Sequence, residues 1–71
     1  MKIETATLIN DLMLTFLKEL SKTCAIVRDE CSPEETSNYF KPAAHISALT
    51  FDILDQIHAQ YPELKPPEFM D

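Results

Sequence analysis

Not one glycine occurs among the 71 residues of the chain. Average usage of about 7 % would place about five there, and their absence removes whole classes of backbone. Phosphate-cradling loops and dinucleotide fingerprints need glycine where the main chain closes on a ligand. The tight turns of two-stranded hairpins need residues at positive φ, which glycine adopts most readily. Leu, Ala, Glu and Lys, all good helix formers, recur along most of the length instead. The expected class is all-α.

Hydrophobic periodicity agrees. On a wheel turning about 100° per residue, Leu8, Ile9, Leu12, Met13, Phe16, Leu17, Leu20, Cys24, Ile26, Val27 and Cys31 cover one half of a first helix. Asn10, Asp11, Lys18, Lys22, Arg28 and Asp29 fall on the other half. The spacing predicts a long helix over about residues 5–30, capped by Thr5 or Thr7. Inside the stripe runs a seven-residue series, Met13-Leu20-Val27 interleaved with Ile9-Phe16-Thr23, the spacing of helices that pack at shallow angles. A second helix is expected over about residues 42–61. Its apolar face collects Ile46, Leu49, Ile53, Leu54, Ile57 and Tyr61, with Phe51 and His58 on one flank and Asp52, Asp55, Gln56 and Ala59 outward. Pro62 ends it, because the residue before a proline is pushed out of the helical region.

Between the two helices lies CSPEETSNYFKP, residues 31–42. Ser32-Pro33-Glu34-Glu35 combines a cap residue, proline at the first helical position and glutamate three after the cap, a strong start signal. Pro42 follows close behind. It lacks an N–H, and its ring would collide with the carbonyl of Asn38 in one straight helix. The expectation is therefore a short turn over about residues 33–40, with the main helix restarting at Pro42; a single kinked helix is the alternative. Either way the chain reverses into a helical hairpin, one domain over residues 1–61. The remainder, residues 62–71, holds three prolines without periodicity and reads as an extended tail. Leu64, Phe69 and Met70 are placed to pin it to the helices.

Two helices touch along one line, so an apolar arc spanning half a helix is too wide for a single neighbour. Each large apolar side chain is worth about 1.5–3 kcal/mol when fully buried, and several together rival the whole net stability of a domain, about 5–15 kcal/mol. Pairing two hairpins into a four-helix-bundle homodimer removes the exposed patch; burial against a different protein is the rival. The residues expected in the core and dimer interface are Ile9, Leu12, Met13, Phe16, Leu17, Leu20, Val27, Ile46, Leu49, Ile53, Leu54 and Ile57. Aromatic and amphipathic residues off the main stripe, Tyr39, Phe40, Phe51 and His58, are the candidates for docking a larger partner.

Charge narrows the partners. Twelve acidic residues against six basic ones leave a formal charge of −6. Lys2, Lys18, Lys22, Arg28, Lys41 and Lys65 are scattered, so neither direct nucleic-acid binding nor attachment to an anionic membrane is expected. Polar interruptions in the first twenty residues argue against a signal peptide or membrane span, which places the protein in the cytoplasm.

Chemistry-bearing groups are few. Cys24 and Cys31, seven apart on one helix, would have Cα atoms about 10 Å apart, beyond disulfide reach of about 7 Å. Asp55 and His58 match only the spacing of a carboxylate–histidine metal element; of the glutamates on the first helix before its last turn, Glu4 and Glu19, only Glu19 lies beside the apolar arc, and Asp55 falls on the outward side. No pattern joins Ser47 to His45 or His58 as a nucleophile and base. No catalytic residue, metal or cofactor is expected. The sequence reads as a small acidic interaction module, an adaptor, inhibitor or regulatory subunit. The alternatives are an acidic nucleic-acid mimic built on Asp29, Glu30, Glu34 and Glu35, and a metal- or redox-responsive bundle.

Overall fold

The chain reverses over two residues. In the computed structural model, which describes residues 1–67, helix α1 (Ile3–Glu30) and helix α2 (Pro33–Gln60) are each 28 residues long and joined by Cys31 and Ser32 alone. Both linking residues are extended, Cys31 at φ −115° and ψ 166°, Ser32 at φ −67° and ψ 160°. Helices commonly end on a left-handed glycine. Here two extended residues make the reversal, and no described residue takes positive φ. That is how a glycine-free chain closes a hairpin.

Local chemistry holds the turn. The Cys31 N–H donates to the Val27 carbonyl at 2.9 Å. The Thr36 hydroxyl reaches back from α2 to the same carbonyl at 3.3 Å, a second donor that ties the first turn of α2 to the end of α1. Ser32 and Glu35 form the complete capping box: the Glu35 N–H donates to the Ser32 hydroxyl at 3.2 Å, and the Ser32 N–H to the Glu35 carboxylate at 3.0 Å. The Ser32 N–H, with its hydroxyl, holds the Glu35 carboxyl below its ordinary value of 4.5, because both stabilise the ionised form.

This start signal launches the whole of α2, not a short turn. The helix runs unbroken through Pro42, so the expected restart after residue 40 is corrected. Asn38 and Pro42 are both exposed, and water can reach the carbonyl that the proline leaves without a donor. On the inner side Tyr39, Ala43, Ser47 and Thr50 pack toward α1 on both sides of the interruption. Burial against a neighbour outweighs a local penalty of about 3 kcal/mol.

Two further boundaries differ from expectation. Helix α1 begins at Ile3, with Lys2 as its cap residue and no side-chain cap bond. Thr5 is exposed, and the Thr7 hydroxyl donates to the Ile3 carbonyl at 2.8 Å. An exposed first turn can be satisfied by water. At the other end α2 stops before Pro62 as expected, but Pro62–Leu64 coil into a 3-10 turn. Leu64 and Lys65 donate to the carbonyls of Tyr61 and Pro62 at 3.0 and 3.1 Å, and Leu64 is half-buried. Phe69 and Met70 lie outside the described residues.

Bonds across the hairpin set an antiparallel register. Thr23 meets Tyr39 at 2.5 Å, Val27 meets Thr36, and the Tyr61 hydroxyl donates to the Met1 carbonyl. Each step along α1 is matched by a step back along α2. The two helices are level at both ends, and a 28-residue helix of about 42 Å accounts for the longest dimension of 44 Å. No strand occurs among the described residues, and none of their helices is long and apolar enough to cross a membrane.

Candidate functional site

The surface that stands out is apolar, and the register explains it. The side of α1 that meets α2 repeats in sevens: Ala6-Met13-Leu20-Val27, interleaved with Asn10-Leu17-Cys24. All of these are buried or half-buried. Helix α2 answers with Thr36, Tyr39, Ala43, Ser47, Thr50, Leu54, Ile57 and Tyr61, likewise buried or half-buried. Small side chains at Ala6, Ala43, Ser47 and Thr50 allow close approach. The anchors are Leu54 and Ile57, 1 % and 2 % exposed.

The twelve residues expected in the interface therefore separate into two sets. Met13, Leu17, Leu20, Val27, Leu54 and Ile57 belong to the seam between the helices. Ile9, Leu12, Phe16, Ile46, Leu49 and Ile53 do not. They repeat as i, i+3, i+7 on each helix, rotated by about 50–120° from the seam on a wheel of about 100° per residue. In an antiparallel pair both triplets turn to the same side, the side that carries the Thr23–Tyr39 bond. The register sets Ile9 level with Ile53, Leu12 with Leu49, and Phe16 with Ile46. Ile9 is half-buried, while Leu12 and Leu49 are 55 % and 52 % exposed, and Phe16, Ile46 and Ile53 about two-fifths.

Asn10 departs from its assignment to the polar half of α1. It is 4 % exposed, and its side-chain oxygen lies 2.8 Å from Nε2 of His58 on α2. This pair bridges the helices on the side of the seam opposite Thr23 and Tyr39. The four docking candidates thus do not share one surface. Tyr39 is engaged with Thr23 on one side, whereas Phe40, Phe51 and His58, spaced eleven and seven apart, turn toward the other. His58 is half-buried and Phe40 and Phe51 are exposed.

Comparison with known proteins adds no assignment. No family model matches the chain, and no curated protein or solved structure is found to be similar to it.

Polar chemistry at the surface is sparse. Cys24 is half-buried and Cys31 exposed, both as free thiols. Cys31 shares a shallow, open groove beside the turn with Arg28, Pro33, Thr36 and Ser37. Among the described residues no three His, Cys, Asp or Glu side chains converge in a metal-holding group. The ion pairs among the described residues are local and solvated, Lys22 with Glu19 at 3.1 Å and Arg28 with Asp29 at 3.2 Å, and such exposed pairs contribute about 0–1 kcal/mol.

Proposed function

We propose that this protein is a non-enzymatic interaction module of the cytoplasm that works as a homodimer and, in that form, docks on a larger protein as an adaptor, inhibitor or regulatory subunit. One observation carries the reading. The buried apolar core among the described residues consists of Ala6, Ala43, Leu54 and Ile57, while eleven large hydrophobic side chains are exposed. Exposure of that many is what an interface requires and what an isolated soluble hairpin avoids. The scattered basic residues and the charge of −6 favour a protein partner over nucleic acid or an anionic membrane.

Sedimentation equilibrium of the purified chain between 1 and 100 µM tests the pairing. The expected mass is twice the 8.1 kDa of one chain. A folded, stable monomer across that range, with native helix content, would overturn it.

A further inference from the structure

We infer that the second copy seats on one particular face, the side of the hairpin carrying Ile9, Leu12 and Phe16 of α1 with Ile46, Leu49 and Ile53 of α2. This rests on the pairing reading above and adds to it which side closes the bundle.

Three observations select this face and this occupant. First, the two helices present the same i, i+3, i+7 triplet at the same level, so the surface is a ribbon two helices wide with heptad spacing. Such a ribbon is complementary to itself under a twofold rotation, and heptad spacing matches a partner helix crossing at a shallow angle. Second, the exposure is concentrated here: Leu12, Phe16, Ile46, Leu49 and Ile53 are 55 %, 41 %, 41 %, 52 % and 43 % exposed and make up five of the eleven large exposed hydrophobic side chains among the described residues. Side by side they form a contiguous apolar patch of the kind that marks an interface, about a few hundred Å². Third, no charged residue belongs to either triplet. Glu19, seven residues beyond Leu12, continues the same stripe of α1 past the ribbon and is paired with Lys22 at 3.1 Å, and the charge of −6 on each copy is screened over about 8 Å at physiological ionic strength.

The opposite side is more mixed. Asn10 and His58 bridge the helices there, and its apolar residues, Ile3, Phe40 and Phe51 at 37 %, 39 % and 41 % exposure with half-buried Leu14, are interspersed with Ser37 and Ala44. It stays in solvent in the pair, accessible to the larger partner.

The test compares three variants by sedimentation equilibrium with helix content measured alongside. Leu12→Glu and Leu49→Glu each place a carboxylate in the ribbon; Ala44→Glu places the same charge on the opposite side. Association weakened 100-fold or more by either ribbon variant, and changed less than about threefold by Ala44→Glu, is the expected result. Because a ribbon variant that cannot pair can also unfold, hydroxyl-radical footprinting of the wild type supplies an independent reading. Phe16 and Leu49 should be protected above the dissociation constant and labelled below it, while Phe40 is labelled alike in both. A paired wild type with Phe16 and Leu49 labelled as fast as in the dilute state, or ribbon variants that pair as tightly as wild type, would overturn the face while leaving the pairing intact. A wild type that never pairs would overturn both.

Discussion

Replacing Pro42 by alanine asks whether α2 is one helix. If it runs unbroken from Pro33 to Gln60, Pro42 is a liability that packing overrides. In a helix interior proline is about 3 kcal/mol less favourable than alanine. Two features of this site reduce that figure. Pro42 and Asn38 are exposed, so the carbonyl without a helical donor can bond to water, and restoring the peptide bond returns only the net worth of a hydrogen bond, about 0.5–1.5 kcal/mol. Proline also restricts the unfolded chain, which alanine gives back at a cost of about 0.4–1 kcal/mol. Relief of the ring's clash with the Asn38 carbonyl enters on the favourable side. The net expectation is a stabilisation of about 1–2 kcal/mol, a rise in Tm of about 5–15 °C for a chain of this size. Thermal unfolding followed by circular dichroism at 222 nm reads it, at one fixed protein concentration because association shifts Tm by mass action. An unchanged or lower Tm would refute the reasoning. It would mean that the fixed φ of proline is an advantage, as at a first helical turn, and that α2 is two helices.

Other perturbations test the remaining contacts. Leu54→Ala, at a position 1 % exposed, should cost about 2–5 kcal/mol in urea unfolding; a cost below 1 kcal/mol would remove Leu54 from the core. Asn10→Ala should cost about 1–3 kcal/mol by taking away the bond to His58, and a double-mutant cycle with His58→Ala that returns no coupling would refute the bridge. Ser32→Ala should cost about 1 kcal/mol by opening the capping box. The folded-state pKa of Glu35 is lowered by Ser32, so its contribution is present above the ordinary value of 4.5 and is lost as pH falls through the folded value. Wild type and Glu35→Gln should therefore differ in Tm at neutral pH and converge in acid, and a difference that persists at low pH would contradict this.

The sequence by itself determined the helical class, the hairpin and the start signal at Ser32, because these depend on near neighbours. Absence of glycine, spacing of apolar residues and the Ser32–Glu35 box act within a few residues, and all are visible in the chain. The proposed docking surface is legible in composition but not in arrangement: the twelve residues that the sequence marks for core and interface together separate into six on the ribbon and six in the seam between the helices. A wheel drawn for one helix has no zero. Only the register of α1 against α2 supplies it, by showing which residues face inward.

Tertiary structure decided the rest, for the same reason in each case. Asn10 reads as polar and outward until His58 arrives from 48 positions away and satisfies it in the seam. Ala6 is 0 % exposed because close packing selects small side chains, and hydrophobicity alone gives alanine little weight. Pro42 is a break by local rules and an uninterrupted helix in the fold, since the contacts that carry α2 across it are made with α1. Local signals set where elements start and turn; burial against a distant neighbour sets which face is inside and which local penalties are overridden.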